Sequence, residues 1–378
     1  MCKLIRVTTA DISLYSLLKG QLKFLNREFE VIGVAADTGY LEKVGEREGI
    51  RVINVPMHRE ISLLSDIACL FKLIRVFFRE KPFIVHSNTP KGSLLSMIAA
   101  KVVGVPNRLY LVTGLRYQGE TGFKRYLMMI MERICCSCAT RVIPEGEGVK
   151  KTLINDYITH KSLKVIHNGN INGIDTSYFS RESCPYSEPL VRADLGINED
   201  DFVFVFVGRI VRDKGLNELA EAMQSLAVRY PQVKLILVGS FESNLDPLMP
   251  GNEDFLKHSA SVLYVGERLD VRRYLVAADA LVFPSYREGF PNVVLEAGAM
   301  NLPAIVTNIN GSNEIILDGV NGVIIPPRNK DALLEKMICF IENPDYVHNM
   351  SLNARQMITS RYEQKDVWDA LMKMYKGL

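Results

Sequence analysis

Two doubly wound α/β domains in succession are what this chain predicts, and three observations predict them. At 378 residues it exceeds the size, roughly 250 to 300 residues, at which a single hydrophobic core stops growing. Short β-branched runs alternate with longer amphipathic ones, the rhythm of right-handed βαβ crossovers in a parallel sheet. That rhythm lapses over residues 168–200, rich in Asn, Ser, Pro and Asp, and then resumes, as it would across a connection between two domains.

In the first series, strands are expected at 4–8, 31–35, 52–55, 84–86, 108–112, 141–143 and 164–166. Helices are expected between them at 13–29, 40–48, 63–79, 92–103, 123–139 and 148–155. The second series opens with Phe202–Val207, an unbroken apolar run of the kind buried on both faces of a parallel sheet. Helix 216–230, strands 234–238 and 262–264, helix 271–277, strand 280–283, helix 293–300, strand 304–307 and helix 330–342 follow. A last amphipathic helix over 360–375 places Tyr362, Val367, Leu371 and Tyr375 on one face. The expected division is 1–170 and 171–358, with 359–378 crossing back onto the first domain. A ligand then belongs in the cleft between the domains, at the carboxyl ends of the strands.

Composition excludes several classes. Hydrophobic residues make up 48% and charged residues 23%, ordinary for a globular protein and without room for a large disordered region. No apolar run reaches the roughly 18 to 20 residues that span a bilayer, and the first nine residues read as a strand rather than a signal peptide, so a cytoplasmic protein is expected. Cys135, Cys136 and Cys138 lack the second ligand pair of a zinc site and are expected to be reduced, packed thiols. Residues 1–190 hold 26 Lys and Arg against 18 Asp and Glu, a formal +8, which leaves −6 for the rest. The basic half is the one suited to anionic lipid or a diphosphate-bearing acceptor; nucleic acid is not among the expected partners.

The chemistry gathers in the second half. The stretch Arg287-Glu288-Gly289-Phe290-Pro291-Asn292 leads into an apolar, helix-forming run that carries Glu296. A turn that opens a helix directs free N–H groups and the positive dipole end into one space, which holds an anion. Glu296, just over one turn into that helix, offers a fixed acceptor pair suited to a vicinal diol. Strand 202–207 ends in Gly208, which permits close backbone approach, and Arg209 and Lys214 then place two cations at the strand's carboxyl end. Such cations stabilise the charge on a departing nucleoside diphosphate. A metal would serve as well, but no Asp-x-Asp follows a strand to hold one, so neither metal nor cofactor is expected.

Arg209 and Lys214 followed by Glu288 and Glu296 resemble the signature of retaining glycosyltransferases of family 4, which have the GT-B architecture of two Rossmann-like doubly wound domains facing across a cleft. The segments Ile84-Val85-His86-Ser87-Asn88-Thr89-Pro90-Lys91, Thr113-Gly114-Leu115, Asn170 to Asp175 and Asp318 to Gly322 are similar to those of the branch that builds bacterial capsule and O-antigen saccharides. The resemblance implies an acceptor-binding first domain and a donor-binding second one. It implies that Arg209 and Lys214 bind the donor diphosphate, that Glu288 orients the transferred sugar, that the Gly289 to Asn292 amides hold sugar and phosphate, and that Glu296 accepts from the ribose. The resemblance also implies that configuration is retained by front-side attack, with no enzymic nucleophile. Relatives often carry His where this chain has Thr113, which can donate a hydrogen bond but cannot act as a general base at neutral pH.

Weaker candidates lie in the first half. His86 either lines the cleft or, the commoner role, satisfies a loop, and Asp11 and Ser13 sit at the first strand-to-helix turn, where they could contact acceptor or donor phosphate. Helix 63–79 carries Lys72, Arg75 and Arg79 and helix 13–29 carries Lys19, Lys23 and Arg27, so both are candidates for peripheral contact with the inner face of the cytoplasmic membrane. The expected reaction moves a hexose or N-acetylhexosamine from a UDP-sugar to a polyprenyl-diphosphate-linked saccharide acceptor with retention of anomeric configuration. A UDP-sugar epimerase of the same architecture and a non-catalytic sugar-nucleotide sensor are the alternatives.

Overall fold

The structure, a computed structural model, describes residues 1–58, 62–242 and 246–378. The chain forms two compact units, Met1–Gly173 with Gln364–Leu378, and Ile174–Glu363.

The first unit is built on a six-stranded parallel sheet in the order β3-β2-β1-β4-β5-β6. Its elements are β1 (Lys3–Ala10), α1 (Asp11–Leu17), α2 (Gln21–Leu25), β2 (Glu30–Ala36), α3 (Leu41–Glu48), β3 (Arg51–Asn54), α4 (Leu63–Glu80), β4 (Ile84–Ser87), α5 (Pro90–Val103), β5 (Asn107–Val112), α6 (Gly122–Cys138), β6 (Arg141–Pro144) and α7 (Glu147–Asn155). Strand side chains alternate between two apolar layers. Ile5, Val7 and Val85 pack beneath α4, α5 and α6, whereas Leu4 and Ile84 pack with α1, α2 and the C-terminal helix. Two sequence expectations change here. Helix 13–29 divides at Gly20, where the backbone turns left-handed and Trp368 packs across the turn. Residues 164–166 form no strand; Ile166 packs against the core from a loop beyond the edge strand β6. The two basic stretches pack in opposite layers, α1 and α2 with Leu4 and Ile84 and α4 with Ile5, Val7 and Val85.

The second unit contains α8 (Glu188–Asp194), β7 (Phe202–Val207), α9 (Leu216–Arg229), β8 (Val233–Val238), α10 (Pro250–His258), β9 (Val262–Gly266), α11 (Arg272–Val276), β10 (Ala280–Phe283), α12 (Asn292–Ala299), β11 (Ala304–Thr307), α13 (Ser312–Ile315), β12 (Gly322–Ile325), α14 (Lys330–Glu342) and α15 (Pro344–Tyr362). Its sheet is also parallel, in the order β12-β11-β10-β7-β8-β9. From Val203 to Phe206, β7 is fully buried, as its unbroken apolar run requires. Helix 360–375 is likewise two helices. α15 ends at Tyr362, Glu363 bridges to Ile174, and α16 (Gln364–Lys376) returns to the first unit with Leu371, Met372 and Tyr375 buried.

Candidate functional site

In each sheet the chain leaves the central pair of strands in opposite directions, β1 and β4 in the first and β7 and β10 in the second. Loops diverge at such a switch point and open a crevice at the carboxyl ends. In the second unit the two loops are tied together. The Arg287 guanidinium donates to Asp213 Oδ2 at 2.6 and 2.9 Å, and Tyr286 N donates to Asp213 O at 2.9 Å. Lys214 Nζ donates to Glu288 Oε1, which also accepts from Ser285 Oγ at 3.0 Å. Lys214 and Glu288 are each 17% exposed, so the pair is shielded but reachable.

Two glycines let the loops approach. Gly215 has φ +74°, and a Cβ there would lie 2.1 Å from Pro284 O. Gly311 has φ +75°, and its Cβ would lie 2.6 Å from Gly289 O, so the loop after β11 packs directly on the turn that opens α12. The amides of Gly289, Phe290 and Val293 have no acceptor among the described residues, which leaves the N-terminal donors of α12 free for an anion. Pro291 has no N–H and contributes none, a correction to the expected run of amides. The Phe290 side chain is buried against Tyr362, ring centroids 5.5 Å apart, so only its backbone can serve a ligand. Asn292 is the first residue of α12.

Glu296 is half-buried one turn further on, and its carboxyl has no hydrogen-bond or ion-pair partner among the described residues. Desolvation pushes its carboxyl up to about 7. A carboxylate in this state is stabilised by any ligand that brings donors to it. Gly208 closes β7 as expected, but Arg209 stands apart from the pair: its guanidinium is 53% exposed and bonds Glu242 at 2.8 Å. Sequence reasoning gave no role to Ser285, Asp213 or Arg287, although Asp213 and Arg287 adjoin Lys214 and Glu288; what binds them is a contact between loops about 70 residues apart.

The candidates of the first unit lie at the carboxyl ends of β1, β4 and β5, and most are occupied by the fold. Asp11 is fully buried and accepts from Thr38 N at 2.7 Å and Tyr40 N at 2.8 Å, tethering the loop after β2. Burial pushes its carboxyl up, but these bonds prevail and hold it below its ordinary value. An internal tether replaces the expected phosphate contact. Ser13 is half-buried on α1 with no side-chain partner among the described residues. His86 lines no open cleft. It is buried, 2.7 Å from Arg6 Nη1 and bonded to Tyr375 Oη, and burial and then the Arg6 charge push its pKa well below the ordinary value. Thr113 Oγ1 donates to Asn88 O at 2.9 Å.

Two parallel sheets of this order, the second with a cation–carboxylate pair and a helix-opening turn at its switch point, define the GT-B class of α/β enzyme. The family model described as Glycosyltransferase Family 4 matches residues 13–176, and that described as Glycosyl transferases group 1 matches 187–357. The chain is 32% identical to the capsular polysaccharide biosynthesis glycosyltransferase CapM of Staphylococcus aureus, over 99% of this chain and 96% of that protein. It therefore belongs to these glycosyltransferases. It is also 27% identical to the UDP-Gal:alpha-D-GlcNAc-diphosphoundecaprenol alpha-1,3-galactosyltransferase of Escherichia coli, over 98% and 97%. Among solved structures, Anabaena HepE in complex with UDP and glucose matches with a TM-score of 0.81 at 19% identity, covering 100% of both chains, a likeness of fold.

Proposed function

We propose that this glycosyltransferase moves a hexose or N-acetylhexosamine from a UDP-sugar to a polyprenyl-diphosphate-linked saccharide, with retention of configuration, during surface polysaccharide assembly at the inner face of the cytoplasmic membrane. The observation that carries the reading is the juxtaposition at the β7/β10 switch point: Lys214 bonded to Glu288, followed within one turn–helix unit by free amides and the unpartnered Glu296. The lipid-linked acceptor is supported by the name of the Escherichia coli relative.

In this reading Lys214 and Arg209 neutralise the diphosphate as the bond to the anomeric carbon lengthens, and they act more strongly in the transition state than on the bound donor. Glu288, held by Lys214 and Ser285, accepts from the sugar hydroxyls, and Glu296 accepts from the ribose diol. The acceptor hydroxyl attacks from the face the phosphate leaves, and the departing phosphate oxygen takes its proton. The protein supplies charge and orientation, so no metal is required.

Incubation with a panel of UDP-sugars, with and without a prenyl-diphosphate glycan, tests the proposal. Acceptor-dependent UDP release that survives chelation is expected. Isomerisation of the donor without acceptor would instead establish an epimerase, and binding without turnover a sensor.

A further inference from the structure

Helices α4, α5 and α6 cover one face of the first sheet in that order, and their outward surfaces depart from a soluble pattern. Ten of the twenty-one large apolar side chains that are exposed among the described residues lie on these three helices. On α4 the outward stripe runs Leu64, Ile67, Phe71 and Phe78, spaced three, four and seven apart, with Phe71 66% and Phe78 71% exposed. Peripheral membrane contact was the sequence expectation for this helix, against the plainer alternative of an apolar face on the sheet and cations in water. Cys69, Leu73, Phe77 and Glu80 are buried and Leu70, Ile74 and Val76 pack against the core, whereas Leu63, Leu64, Ile67, Phe71 and Phe78 share the outer face with Lys72, Arg75 and Arg79. On α6, Phe123 is 78% and Tyr126 57% exposed, and on α5 Lys101 and Val102 face outward.

Charge decides what covers this surface. Lys72, Arg75, Arg79 and Lys101 have no ion-pair partner among the described residues, and the outward stripe of α4 carries no carboxylate; Asp66 is turned to Lys91 at 2.6 Å. A second copy docked on the same face by a two-fold axis would set cations against cations. Aromatic side chains among unpaired cations match an anionic lipid bilayer, whose headgroups take the cations while the rings enter the acyl boundary. We propose that the outward faces of α4, α5 and α6 are a bilayer-docking surface that inserts Phe71 and Phe78 and reads anionic headgroups with Lys72, Arg75 and Arg79. The proposal deepens the reading of a lipid-linked acceptor and rests on it.

Co-sedimentation with vesicles of phosphatidylcholine containing about one-third phosphatidylglycerol tests it, alongside transfer to a water-soluble, short-chain diphosphate acceptor. The full chain is expected to bind the anionic vesicles and to bind pure phosphatidylcholine at least tenfold more weakly. Phe71→Ser with Phe78→Ser should weaken vesicle binding about 30-fold or more, the cost of leaving two rings in water. Lys72→Glu with Arg75→Glu should abolish the preference for anionic vesicles. Both variants should keep wild-type melting and wild-type transfer to the soluble acceptor. Vesicle binding by the wild type that neither variant weakens would overturn the proposal, as would a wild type that binds no vesicles or a dimer that the Phe variant dissociates. Vesicle binding that behaves as expected in a protein unable to glycosylate either acceptor would sink the proposed function and leave the surface standing.

Discussion

Glu296 ties a titration to a ligand. Its carboxyl is pushed up to about 7 by desolvation, against an ordinary value of 4.5, so the folded protein holds this proton more tightly than the unfolded chain does. The contribution to stability is complete below about pH 4.5 and is lost as the pH rises through 7. Glu296→Gln removes that decline, and its apo form should melt above the wild type at pH 8. Ribose hydroxyls need the ionised form as acceptor, so UDP affinity should be about tenfold weaker at pH 6 than at pH 8, following the ionised fraction of a group near 7. Calorimetric titration across this range checks the sign; an affinity independent of pH would remove Glu296 from the ribose. Lys214 is tested by rate. Lys214→Ala should lower turnover by about 100-fold or more, comparable with losing an oxyanion donor, while Lys214→Arg recovers part of it. A merely structural partner of Glu288 would leave turnover unmoved while melting fell.

At the scale of elements, the site depends on how closely two loops meet. Gly215 touches the end of β10 through Pro284 O, so Gly215→Ala must either move that strand end or open the turn before α9. A loss of roughly 2 kcal/mol or more is expected, from left-handed strain and overpacking together. Urea unfolding measures it, and an unchanged midpoint would mean that the loops tolerate separation. The sequence made the strands and most helices legible because their apolar periods are local, and β7 declares itself by its unbroken run. It also placed Lys214 and Glu288 on loops that each follow a buried strand. It did not reveal their contact, nor the Asp213–Arg287 tie beside it, since both depend on β7 and β10 becoming neighbours. Helix α15 escaped because it is polar along most of its length, whereas strand β12 was passed over although it is as long as β10 and β11. The first-unit candidates Asp11 and His86 were chosen by position alone, and position does not tell a ligand contact from a tether.

Over the whole molecule, the chain enters the second unit at Ile174 and leaves it at Glu363, and these two points are adjacent. Ile174 N donates to Tyr362 O at 2.8 Å, and Thr176 Oγ1 bonds the Glu363 carboxylate. On the first unit's side, Trp368 Nε1 donates to Asn172 Oδ1 at 2.7 Å, which also accepts from Gln21 Nε2 at 3.1 Å. The last fifteen residues thus complete a core begun by the first. At its centre Arg6, fully buried on β1, donates from Nη1 to Tyr375 Oη at 2.9 Å and lies against His86 Nδ1. Burial and then the Arg6 charge favour neutral His86, and a ring nitrogen kept unprotonated accepts from its neighbours. Because the His86 pKa is lowered by folding, its contribution is present above about pH 6.5 and fades as the pH falls below that. Tyr375→Phe deletes one partner of a buried cation, and it should cost about 1 to 3 kcal/mol. The loss belongs to the first unit. Urea unfolding followed by Trp368 fluorescence, the chain's one tryptophan, should therefore shift to lower midpoint. Nucleotide protection of the second unit against proteolysis should stay as in the wild type. An unshifted fluorescence transition would mean that α16 is held by its apolar face alone.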